Sequence, residues 1–103
     1  MKILIVCGAG ASSTFVALRV RRTAAERGIP VEVAAGSESD LPDGLGGVTV
    51  LLVGPHLEHR FDQIRDQAGD RGVAARLMPD TVFAARDGEQ ALDLALGAQA
   101  ARS

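Results

Sequence analysis

The sequence predicts an α/β fold, a three-layer sandwich around a four-stranded parallel sheet. Three observations carry this. Short apolar runs alternate with helix-length segments, and few residues fall outside the alternation. The runs end at turn-forming residues such as Gly8, Gly36, Gly54 and Pro79. With 103 residues, 47% of them hydrophobic, the chain can bury a core without disulfides, and one domain over 1–103 is expected.

Lys2–Val6 (KILIV) reads as a strand buried on both faces, as parallel sheets require. A helix is expected from about Ser13 to Arg27. It places Val16, Val20 and Ala24 on one face and Arg19, Arg22 and Glu26 on the other. Gly28 reads as its C-terminal stop, with Pro30 beyond. Val31–Ala35 is the second strand. The stretch GSESDLPDGLGG is turn-rich, with a weakly signalled short helix around Glu38–Asp43. Val48–Val53 is the third strand, broken by Gly54-Pro55-His56. In the next helix Leu57, Phe61, Ile64 and Ala68 recur at spacings of four and three. Val73–Met78 is the fourth strand, and its Arg76 suits an edge. Asp87 to Gln90 resembles a capping box opening a last helix to about Ala100.

Strands joined by helices imply right-handed crossovers. The order 2-1-3-4 is the compact solution, a small flavodoxin-like sheet. Ligands in such sheets bind at the carboxyl ends of the strands, where the winding reverses. Cys7–Thr14, Gly54-Pro55-His56 and Pro79-Asp80 all fall at that end.

The first of these carries the chemistry. Cys7 is the only cysteine, and it opens the run Gly8-Ala9-Gly10-Ala11-Ser12-Ser13-Thr14. The run has no bulky side chain and leads into a helix. Its backbone amides can curl into an anion nest at a helix N-terminus. Ser12, Ser13 and Thr14 add hydroxyl donors. A sulfur at that focus favours the thiolate, because the amides bond the charged form. The same donors suit the oxygens of a phosphoryl group, so Gly8, Ala9, Gly10, Ala11, Ser12, Ser13 and Thr14 read as a phosphate cradle around nucleophilic Cys7. The competing reading is a small buried hydrophobe at a strand end. The run matches neither G-x-G-x-x-G nor a Walker loop.

The loop resembles that of the phosphotyrosine phosphatases. A cysteine phosphatase, however, needs an arginine six residues after the cysteine to clamp the phosphate. Position 13 is serine. That suits a carrier, which must hold a phosphoryl group without handing it to water. A hydrolase would need a general acid, for which Asp80 and His56 are the candidates.

Composition excludes several classes. With 11 basic and 13 acidic residues, the basic excess of nucleic-acid and membrane-surface binders is absent. Three Phe with no Trp or Tyr make a base-stacking platform improbable. The run Ile3–Cys7 is too short for a membrane span or a signal segment. A single cysteine suggests no oxidising compartment, so a cytoplasmic location is expected, without metal or cofactor.

The apolar strand, the run C-x-A-G-x-S-S-T, the helix and the strand end VTVLLVGP together resemble the IIB component of the phosphoenolpyruvate-dependent sugar phosphotransferase system, in its lactose/cellobiose branch, including chitobiose. The resemblance spans Met1 to about Ala98. It implies that Cys7 accepts phosphoryl from a histidine of a IIA partner and passes it to a sugar held by the membrane component IIC. The chain would then be a protein-phosphocysteine–sugar phosphotransferase subunit. Two positions depart from the family pattern: Ala11 stands where Met is common, and His56 where Gln is common after Gly-Pro. His56 and Asp80 are accessory candidates; a helix-start and a turn residue are the plainer readings. His59 reads as surface. Alternatives are a thiolate enzyme of the low-molecular-weight phosphatase or arsenate-reductase type, and an anion-sensing regulatory module. A monomer is expected. For partner contact, Ala9, Ala11, Phe15 and Leu57 are expected as an apolar rim; Arg19, Arg21 and Arg22 read equally well as basic contacts for an acidic partner or as a solvated helix face.

Overall fold

The four strands are β1 (Lys2–Cys7), β2 (Glu32–Ser37), β3 (Val50–Val53) and β4 (Ala74–Leu77). They form one parallel sheet in the order β2-β1-β3-β4, as the alternation predicts. Among the described residues three α-helices connect or follow them: α1 (Ala11–Arg27), α2 (Phe61–Gly69) and α3 (Glu89–Arg102). The computed structural model describes residues 1–7, 11–41, 43–84 and 87–102.

Alternation along the strands sends side chains to two separate cores. Ile3, Ile5, Val50 and Leu52 meet α1 through Val16, Val20 and Ala24, and α3 through Ala91, Leu92, Ala95 and Ala98. Leu4, Val6, Leu51 and Val53 meet Leu57, Ile64 and Ala68 on the opposite face. The helical stripes expected in α1 and around α2 are thus the two faces that cover the sheet.

The boundaries move for identifiable reasons. Cys7 is itself the last residue of β1, paired with Ser37, and α1 begins at Ala11, two residues before the expected start. Val48 does not join β3, because its N–H bonds back to the Leu45 carbonyl in a turn. Val73 likewise closes the end of α2, donating to Ala68 O beside Gly72 at φ +72°. Gly28, at φ +70°, ends α1 as expected.

The expected helix around Glu38–Asp43 is two short 3-10 turns, Glu38–Asp40 and Asp43–Leu45. The segment Pro55–Arg60 is also 3-10, with Leu57 off helical dihedrals (φ −101°, ψ 16°), so α2 proper starts only at Phe61. The expected capping box of α3 is half formed. Asp87 Oδ1 accepts from Glu89 N at 3.1 Å, while Gln90 Oε1 accepts from Thr81 Oγ1 at 3.0 Å instead of reaching back.

Contacts along its whole length fix α1. Its N-terminal turn is tied to β2 by Ser13 Oγ, which donates to Gly36 O at 2.9 Å. Its middle packs on Gly88, where an added Cβ would lie 2.5 Å from Val20 backbone atoms. Buried Thr23 Oγ1 accepts the Gly88 N–H there, at 2.9 Å. At the far end Arg27 forms ion pairs with Glu89 and Asp93 of α3.

Candidate functional site

The site sits at the carboxyl end of the sheet, where β1 hands over to α1 between the ends of β2 and β3. Cys7 continues the strand alternation, so its side chain falls on the α1/α3 face with Ile3 and Ile5. The residue is 1% exposed, and its sulfur is not part of a disulfide. In register beside it lies Gly54, whose N–H donates to Val6 O at 2.8 Å. A Cβ on Gly54 would come within 2.8 Å of Cys7 Sγ. The glycine therefore makes the space that the sulfur occupies. Sequence reading took Gly54 as a strand breaker; its role as the sulfur's neighbour has no local signal, because it depends on β1–β3 register.

Of the expected cradle, Gly8, Ala9 and Gly10, and the side chains of Ala11 and Ser12, lie outside the described residues. The backbone of Ala11 and Ser12 forms the first turn of α1, a 17-residue helix with no acidic residue in that turn. A helix terminus of this kind directs its unpaired amides and positive dipole end toward the preceding loop. Ser13 is fully buried, and its hydroxyl is the donor to Gly36 O described above. Its side chain thus braces the helix start against β2. Thr14 is exposed.

His56 is exposed at the start of the 3-10 segment after β3, and its ring packs 5.4 Å from that of Phe83, tilted by 46°. Phe83 follows β4, and its carbonyl accepts from Arg19 Nη1 at 3.3 Å. Phe15, Val16, Arg19, His56 and Phe83 line one open cavity of about 400 Å³. Sequence reading singled out His56 but not Phe83; only the fold brings the segment after β4 against α1. Asp80 is exposed in the turn Asp80–Val82, where its carbonyl accepts Phe83 N. His59 is exposed, as expected.

The expected rim is corrected at Leu57, and the expected basic contacts at Arg21. Leu57 is buried in the α2-side core, because the 3-10 turn points it down onto the sheet. Arg21 is committed to β2, its Nε donating to Val33 O at 2.9 Å. Phe15 is exposed, as expected, and Leu18 joins it. Among the described residues no cluster of His, Cys, Asp or Glu is suited to a metal, and no helix is long and apolar enough to cross a membrane.

The architecture is a four-stranded parallel sheet covered by helices, with a thiol at the carboxyl end of β1, and comparison defines the family. Residues 2–94 match the family described as "PTS system, Lactose/Cellobiose specific IIB subunit". The chain belongs to that family, whose members are phosphotransferase subunits of sugar transport working with IIA and IIC partners. The fold is that of the lactose-specific IIB domain from Streptococcus pneumoniae, with TM-score 0.84 and 16% identity over 94% of this chain and 95% of that one. The cellobiose-specific IIB protein from Borrelia burgdorferi is also similar. It gives TM-score 0.77 and 25% identity over 100% of this chain and 94% of that one. No curated protein matches the chain.

Proposed function

We propose that the chain is a phosphocysteine carrier, with Cys7 as the residue that is phosphorylated. The observation that carries this reading is the position of Cys7. It ends β1 at the helix-dipole end of α1, in space left by Gly54. In the first step the Cys7 thiolate attacks the phosphorus of a IIA phosphohistidine. The S–P bond forms as the N–P bond breaks, and the ring nitrogen takes the proton that Cys7 gave up on ionising, so the histidine leaves as neutral imidazole. In the second step a sugar hydroxyl held by IIC attacks the same phosphorus. The O–P bond forms, the S–P bond breaks, the thiolate returns, and the hydroxyl proton passes to a base of the acceptor. The backbone donors of residues 8–14 would hold the equatorial oxygens in both steps.

Hydrolysis is disfavoured by the residue at the clamp position. Ser13 stands there, without a cation, and its hydroxyl is spent on Gly36 O. The cytoplasmic proteins of the system are the expected setting, the sugar being chosen by IIC.

The test is intact mass after incubation with phosphoenolpyruvate, the general phosphotransferase proteins and a IIA of the lactose/cellobiose class. One phosphoryl group is expected on wild type and none on Cys7→Ser. Sustained turnover of an aryl phosphate by wild type, lost in Cys7→Ser, would instead make the chain a thiolate phosphatase.

A further inference from the structure

Phe15 and Leu18 are the exposed large hydrophobic residues among those described, 63% and 51% exposed. Both lie on α1, and with Arg19 and Arg22 they recur at spacings of three and four. The four therefore form one stripe along the helix. Arg22 is exposed and has no ion pair among the described residues. With two arginines and, one turn further on, exposed Glu26, the stripe is net basic by one charge although the chain carries a net charge of −2. It runs from the helix N-terminus beside Cys7 and opens sideways into the cavity between Phe15, His56 and Phe83. Arg19 spans the two, lining the cavity and holding the Phe83 carbonyl.

We infer that this stripe and cavity are the docking face for the phosphodonor, a IIA surface with a protruding apolar side chain ringed by carboxylates. The inference rests on the phosphocysteine-carrier reading. The charge decides between the two partners of a carrier. Cytoplasmic loops of membrane proteins carry an excess of Lys and Arg, which a basic stripe repels. A soluble partner with an acidic rim is attracted, and its approach is steered. The cavity decides between a protein and a lipid surface. A concave socket with aromatic walls takes a side-chain knob, whereas a bilayer surface presents none. The donor and acceptor would then use overlapping but unequal surfaces. Both must reach Cys7, but only the donor leans on the distal part of α1.

The experiment follows transfer from a radiolabelled phosphohistidine IIA of the lactose/cellobiose class to Cys7, as a function of IIA concentration. Phe15→Ser, Leu18→Ser and Arg22→Glu are compared with Arg71→Glu, an exposed charge change beyond α2 at the opposite end of the sheet. Circular dichroism checks that each is folded. The three stripe variants should raise the half-saturating IIA concentration by about fivefold or more, as loss of an interface anchor does, with the maximal rate kept. Arg71→Glu should match wild type. Onward transfer from the phosphorylated Arg22→Glu protein to sugar in IIC-containing membrane vesicles should also match wild type. If wild type takes no label, the carrier reading and the docking face fail together. If wild type is labelled and the stripe variants behave identically to it, the docking face alone is overturned. Loss confined to the IIC step would also overturn it. So would co-sedimentation of wild type, but not Arg22→Glu, with phosphatidylserine vesicles while IIA kinetics stay unchanged.

Discussion

Gly54 and Cys7 share one volume: a methyl group on the first would stand 2.8 Å from the sulfur of the second. Neither neighbour can yield easily, since the Gly54 N–H is held by Val6 O and Cys7 is held in β1. Gly54→Ala should therefore destabilise the fold by about 1–3 kcal/mol, the usual cost of overpacking. It should also slow phosphorylation by displacing the sulfur. Adding Cys7→Ala should restore much of the stability, because the contacts left, Val6 O at 3.3 Å and Cys7 Cβ at 3.4 Å, are only tight. Denaturant melts of the two single variants and the double close the cycle. Additive losses would show that the two residues do not compete for space.

Ser13 separates bracing from chemistry. Its hydroxyl joins the first turn of α1 to the end of β2. Ser13→Ala should lower stability by roughly 1 kcal/mol, the net worth of one such bond, read as a shift in the urea midpoint. If Ser13 acts only through its backbone N–H, the rate of Cys7 labelling should fall far less than in Gly54→Ala. Severe loss of labelling with unchanged stability would place the hydroxyl in the cradle instead.

The crossing of α1 over the start of α3 depends on a missing side chain. Gly88→Ala would drive a methyl into the Val20 backbone, which cannot rotate away. A loss of about 1–3 kcal/mol is expected. Thr23→Val keeps the shape but leaves the buried Gly88 N–H without its acceptor, at a cost of about 1–3 kcal/mol. Thermal unfolding followed by circular dichroism measures both. Labelling of Cys7 at temperatures well below the midpoint should be retained, since neither residue is at the site.

Asp93 accepts a hydrogen bond from Arg27, which holds its carboxyl below the ordinary 3.8. A carboxyl more acidic in the folded chain than in the unfolded one stabilises above the unfolded value. That contribution disappears as pH falls through the lowered one. Asp93→Asn should thus lower the melting temperature at pH 7, and the difference from wild type should close as pH drops below 3.8. Salt should narrow the gap at pH 7, the pair being exposed. A difference that persists at low pH would mean packing, not charge, is responsible.

Much of this protein was legible before any coordinates. The alternation of strands and helices is readable from periodicity and turn residues. Gly28 was readable as a helix stop because a positive φ there suits glycine. Cys7 stood out because one thiol, a side-chain-poor turn and a helix start coincide within a few residues. These are local facts, encoded in periodicity and turn chemistry, and the chain needs no distant partner to express them.

Tertiary structure decided what depends on register and on neighbours far along the chain. Leu57 and Phe15 look alike as apolar residues near the site, yet a 3-10 turn buries one while a helix surface exposes the other. Arg21 and Arg22 are adjacent in sequence. One reaches the Val33 carbonyl on the edge strand, and the other, a helical step of about 100° away, faces solvent. Gly54 opposes a sulfur 47 positions earlier only because β3 lies beside β1 in parallel register. Contacts of that kind belong to the packed sheet, whose geometry no short stretch of sequence contains.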